Sequence, residues 1–108
     1  MENNVINTKR AANEWRREYV PVVVSFDSTG RMRPLRITWR DGTHYNVTTV
    51  KGVMPAPALR AGGQGDRYTV EIRGQVTYLF FEHAENCDNP AVGRWFVEQR
   101  ASQVAGRI

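Results

Sequence analysis

The chain has 108 residues, 41% hydrophobic, 24% charged and 10% aromatic, with a formal net charge of +4, a balance that fits one globular domain and excludes a disordered tail. At this length roughly two-thirds of the extended chain's surface can be buried, enough for one core without disulfide or metal staples. The lone cysteine, Cys87, excludes an internal disulfide framework and any Cys-x-x-Cys motif, and no apolar run nears the ~20 residues of a membrane span.

The first segment, Met1-Glu2-Asn3-Asn4, is polar and has no apolar signal region, so a cytoplasmic address is expected. Between Thr8 and Tyr19 the apolar residues Ala12, Trp15 and Tyr19 fall at i, i+3 and i+7, one stripe of a helix, with Asn7 or Thr8 as N-cap. Residues 1–19 are therefore expected as an N-terminal helical arm. Val20 to Phe26 is a β-branched run in which Val20, Val22, Val24 and Phe26 share one face, and Ser28-Thr29-Gly30 is its turn.

Next, Leu35, Ile37 and Trp39 alternate with Arg36, Thr38 and Arg40, and after Asp41-Gly42 the residues Tyr45, Val47 and Thr49 alternate with His44, Asn46 and Thr48. A two-residue loop would set polar Thr38 and Arg36 opposite Tyr45 and Val47. A three-residue loop, Arg40-Asp41-Gly42 with a left-handed Gly42, pairs Ile37 with Tyr45 and Leu35 with Val47, and face matching selects it. The outer face then shows Arg36, Thr38, His44, Asn46 and Thr48.

Val53 to Asp66, with Pro55, Pro57 and Ala61-Gly62-Gly63-Gln64-Gly65, reads as a long irregular connection. Arg67–Arg73 and Val76–Phe81 form a second hairpin around a type II′ turn at Gly74-Gln75, pairing Tyr68 with Phe81, Val70 with Leu79 and Ile72 with Thr77. Val76, Tyr78 and Phe80 make the other face of that strand apolar as well, so it is expected to be central and covered on both sides. Arg94 to Glu98 is a last strand, with Trp95 and Val97 on one side and Phe96 on the other, and residues 99–108 are a C-terminal tail, frayed or forming a short helix. The fold class is mainly β: an antiparallel domain over 20–98, of five or six strands, forming a small barrel or strongly bent sheet with an N-terminal α-helix packed on it.

The segments Arg33-Pro34-Leu35, Trp39-Arg40-Asp41-Gly42, Leu59-Arg60-Ala61-Gly62-Gly63, Arg67-Tyr68-Thr69, Tyr78-Leu79-Phe80 and Arg94-Trp95-Phe96-Val97-Glu98, with Tyr45, resemble a family of short uncharacterised bacterial proteins. The resemblance runs from Val20 to Glu98. It implies a small antiparallel β domain and transfers no activity.

Charge is unevenly spread. Thirteen of the fifteen basic residues are arginines, suited to phosphate and carboxylate, and from Lys9 to Arg40 eight bases face three acids. From Asp66 to Glu98 three bases face six acids, so the halves attract within one fold or pair between copies. Gly62-Gly63-Gln64-Gly65 after Arg60 offers a backbone anion nest or a turn of left-handed glycines, but no P-loop or dinucleotide fingerprint. Glu82-His83-Ala84-Glu85-Asn86-Cys87-Asp88 crowds potential ligands, yet as a post-strand run it reads as a solvated acidic loop. Cys87 with His83 or His44 lacks the setting of an activated nucleophile.

No enzyme of a standard type, no metal and no cofactor is expected. The chain reads as a small binding module for a protein partner or a second copy, acting through aromatic and charged surfaces. The alternative is weak binding of a nucleic-acid backbone. Candidate contacts are Arg31, Arg33, Arg36, Arg40, Lys51 and Arg60 for phosphates, and Tyr78, Phe80 and Phe96 as rings of the second face, covered either by Trp15 and Tyr19 or by a partner.

Overall fold

The structure, a computed structural model, describes residues 15–57, 64–84 and 92–100. Within these it is mainly β, with two antiparallel sheets and no helix. Eight strands are present rather than five or six: β1 (Trp15–Val20), β2 (Val22–Phe26), β3 (Met32–Thr38), β4 (His44–Asn46), β5 (Thr49–Pro57), β6 (Gln64–Ile72), β7 (Gln75–His83) and β8 (Gly93–Arg100). One sheet has the order β1-β8-β7-β6-β5 and the other β2-β3-β4, and no ladder joins them into a closed barrel.

The helix expected to reach Tyr19 is a strand over its last five residues. Trp15 to Val20 pairs residue by residue with β8, from Trp15 opposite Arg100 to Val20 opposite Trp95. Trp15 and Tyr19, four apart, share a face of a strand as well as a stripe of a helix, and the pairing with β8 decides between the two periods. The part of the expected arm before Trp15 lies outside the described residues.

Pro21 splits the β-branched run. It has no N–H to offer a ladder, and its carbonyl instead accepts from Thr38 N–H at 3.0 Å, so the chain leaves the large sheet at Val20 and enters the small one at Val22. The chain crosses back between β4 and β5, where Val47 and Thr48 divide the alternating run expected as one strand.

The first hairpin has the expected register, with Ile37 opposite Tyr45, and Gly42 takes φ +88° as its bulge requires. Leu35, however, does not join the core. The β2–β3 register shifts between Val23 and Val24, from Val23 opposite Arg36 to Val24 opposite Pro34. Leu35 is thus the extra residue of a β-bulge; it turns to solvent while Pro34 takes the buried place.

The second hairpin keeps its faces but turns elsewhere. Arg73 at φ +55° and Gly74 at φ +78° make a two-residue type I′ loop, so Tyr68 faces Leu79 and Val70 faces Thr77. That slides the register by two residues from the expected pairing, which leaves the inward set intact. The connection expected from Val53 to Asp66 is mostly strand: β5 runs through Pro55 and Pro57 and pairs with β6 as far as Gln64. The prolines are tolerated because β5 is an edge. The last strand likewise extends to Arg100, two residues into the expected tail.

The main core lies between the sheets. Ile37, Trp39 and Tyr45 from the small sheet side pack with Tyr68, Val70, Ile72, Leu79, Phe81, Trp95 and Val97 of the large one. A second cluster, Phe80 on Phe96, sits on the other face of the large sheet, its rings stacked 5.1 Å apart. Tyr19 approaches Phe96 edge-on at 5.6 Å, so part of the cover expected from the N-terminal arm comes from a strand of the same sheet.

Candidate functional site: the β2 edge and the adjoining cleft

Each sheet has two edges, and three of the four are closed to pairing. The β5 edge carries Pro55, Pro57 and a register shift around Lys51; β1 carries Arg16, Arg17 and Glu18; β4 is three residues long. Along β2 the sequence is Val-Val-Val-Ser-Phe, without a charge or a proline.

The bonds at its two ends set which groups are available. Thr38 N–H donates to Pro21 and Asp27 N–H donates to Arg31, both at 3.0 Å. By the alternation of an antiparallel ladder, Val23 and Ser25 then bond to β3, while the N–H and C=O groups of Val22, Val24 and Phe26 face away from it. No described strand pairs there. Val23 on the outer face is 46% exposed, Phe26 on the opposite face is 61% exposed, and the bulge residue Leu35 is 40% exposed.

Where β1 bends into β2 the chain parts from β8, and a shallow cleft of about 470 Å³ opens between them, lined by Tyr19, Val20, Pro21, Val22, Gly93, Arg94 and Trp95. Its rim is a closed polar cluster. Arg94 lies 3.9 Å over the Tyr19 ring and donates to Glu82 Oε1 at 2.9 Å and to Tyr19 Oη at 3.2 Å. Arg17 Nη1 donates to Glu82 Oε2 at 3.1 Å, and Tyr19 Oη donates to Oε1 at 3.1 Å. Desolvation first, and the Glu82 carboxylate second, raise the Tyr19 pKa above the usual tyrosine value, so the hydroxyl stays a donor. These groups satisfy one another and hold the cleft wall in shape.

The basic residues expected on one face are dispersed. Arg33 and Arg36 stand on the outer face of the small sheet, opposite Ser25 and Val23, with Arg31 at the β2–β3 turn; none of the three makes an ion pair with a described residue. Arg40, expected beside Arg36, instead pairs with Glu18 at 3.6 Å and lies over Trp39. Lys51 belongs to the other sheet and faces Glu71 at 3.8 Å. Arg60 lies outside the described residues. Between the basic stretch from Lys9 to Arg40 and the acidic stretch from Asp66 to Glu98, Arg17 pairs with Glu82 at 3.1 Å.

The ring platform is corrected. Phe80 and Phe96 are 0% exposed, so neither ring can stack on a ligand, and only Tyr78 is open, with Arg67 4.7 Å above it. Gly65 of the glycine-rich segment is a strand residue of β6, paired with Ala56; Gly62 and Gly63 lie outside the described residues. His83 of the acidic run contacts Asp66 at 2.8 Å, and Cys87 is again outside them. Among the described residues no group of three His, Cys, Asp or Glu could hold a metal ion, and no helix is long and apolar enough to cross a membrane.

The sequence reading missed this site because it took Val20–Phe26 as one strand with a buried face. The signal was present in Pro21, which has no N–H to give a ladder and so marks a place where pairing can change sheet. Compared with protein families, curated proteins and solved structures, the chain matches none.

Proposed function

We propose that this chain is a protein-interaction module that receives an extended partner segment along the β2 edge. The observation that supports it is the contrast among edges: β2 alone of the four described carries no proline, charge or brevity against pairing, and it borders a cleft. Main-chain groups of Val22, Val24 and Phe26 would supply the hydrogen bonds, with Val23 on one face and Phe26 on the other as exposed apolar contacts.

The test is a peptide array of extended sequences probed with the native chain and with Val24→Pro, which removes one outward N–H and no bond to β3. Binding lost in the variant, and lost again when the array peptides are N-methylated, is the expected result. Array binding indifferent to both changes would end the reading.

A second reading, contact with a nucleic-acid backbone, draws on Arg31, Arg33 and Arg36, which make no ion pair with a described residue. With Arg40 and Lys51 paired and two of the three rings buried, it rests on about three phosphates, for which the affinity should fall with a log-log salt slope of about −2 to −3. A mixed oligonucleotide titrated at about 20 mM salt, where screening is weak, tests it; no binding there removes it.

A further inference from the structure

The arginines that stand behind β2 restrict what can occupy its edge. Neighbouring strands lie about 4.8 Å apart, so a strand added to β2 would run about 10 Å from β3. Arg33 and Arg36 project from the outer face of β3 directly behind Ser25 and Val23, side chains too short to block them. An extended arginine lying over Val23 or Ser25 spans most of that distance, with its methylenes along the strand's outer face and its guanidinium at the new strand. Residues of the new strand opposite Val23 and Ser25 would face outward, into these two charges. Those opposite Val22, Val24 and Phe26 would face inward, beside partly buried Val22 and Val24 and the open Phe26 ring.

Resting on the strand-addition reading above, we propose that the occupant of the β2 edge is an extended segment of another protein in which apolar and acidic residues alternate, its acidic side chains meeting Arg33 and Arg36. A second copy of this chain fits poorly. Paired edge to edge, it would present its own Val23 and Ser25 to the arginines and gather Arg33 and Arg36 of both copies on one face without a carboxylate between them. The cleft at the β1–β2 bend gives the segment its entry, and Arg94 on the cleft wall already holds its own carboxylate, Glu82.

The experiment uses the full chain and a set of synthetic peptides of the pattern apolar-acidic-apolar-acidic-apolar, built from Val, Ile or Phe with Asp or Glu, beside matched sets with Lys or Ser at the acidic positions. Fluorescence anisotropy is expected to show binding of the acidic set, weakening as salt rises from about 20 to about 500 mM, and affinity reduced roughly tenfold by the Arg33→Glu, Arg36→Glu pair. N-methylation of the acidic peptides at alternate residues should abolish binding with the protein untouched. Equal binding of the Ser set, with the charge reversal silent, overturns the acidic partner and leaves strand addition standing. Acidic peptides that bind regardless of N-methylation overturn both. No binding by any peptide, with light scattering showing a dimer that Val24→Pro dissolves, overturns the acidic partner in favour of a second copy. Binding of an oligonucleotide alone overturns the protein-interaction reading itself.

Discussion

Asp27 shows how much one exposed side chain sets at the end of β2. Its Oδ1 accepts from Thr29 N–H at 2.8 Å, Thr29 Oγ1 at 2.6 Å and Arg31 N–H at 3.0 Å, shaping the turn that returns β2 into β3. Those bonds, led by the Thr29 hydroxyl, favour the charged form and lower the Asp27 pKa below its ordinary value. A carboxyl whose folded pKa is depressed adds stability that is present above the unfolded pKa and is lost as pH falls through the folded one. Asp27→Asn keeps an acceptor for the same N–H groups but cannot titrate. Its unfolding curves should therefore lie closest to those of the native chain at low pH and diverge as pH rises past about 4. Chemical denaturation between about pH 2 and 6 reads this difference, and parallel profiles would show that the turn draws nothing from the carboxylate's charge. Arg73 is a contrasting residue. It holds φ +55° without a glycine's freedom, and its guanidinium reaches 5.8 Å above the Tyr45 ring, one small contact set against the strain of the turn.

At the scale of elements, hydrophobic alternation was legible wherever a strand is paired on both sides of a tight turn. The Ile37–Tyr45 register followed from face matching alone, and the inward set Tyr68, Val70, Ile72 and Leu79 survived a wrong turn because a slip of two residues leaves a period of two unchanged. What could not be read was the place where pairing ends. The bulge at Leu35 depends on a neighbour in another strand, the break at Val20 on the partner β8, and the fate of Pro55 on β5 being an edge. The candidate site was hidden for the same reason, since an edge is defined by what does not lie beside it. Edge protection itself can be tested at Pro55, which pairs with Asp66 on its inner side and has no N–H to offer. Pro55→Val restores that N–H and a β-branched side chain on an exposed strand. Increased association of the variant in light scattering at high concentration is expected, while the native chain stays unchanged over the same range. Equal behaviour of the two would mean that the bulge and Lys51 protect this edge without the proline.

Across the whole molecule, the two sheets are tied at both ends by the same chain, through Pro21 between β1 and β2 and through Val47-Thr48 between β4 and β5, and they share one core. A core contributed from both sides gives neither sheet an apolar face to bury alone, so the described strands should unfold as one unit. Trp39 is the place to ask. It follows β3 at the mouth of the first hairpin, is 2% exposed, and belongs to the cluster that includes Tyr68, Val70 and Trp95 of the other sheet. Trp39→Ala should lower stability by about 3 to 5 kcal/mol, the usual result of emptying a large buried site. The more discriminating readout is native-state hydrogen exchange. Amides of Val70 and Leu79, in the centre of the five-stranded sheet, should lose as much protection as that of Ile37 beside the substitution, and tryptophan fluorescence and far-ultraviolet circular dichroism should report one coincident transition. Protection retained in β6 and β7 while β3 opens would make the small sheet a separate, weaker unit. The β2 edge would then have to be judged as part of a segment that opens on its own, because a strand can template a partner only while its own sheet is formed.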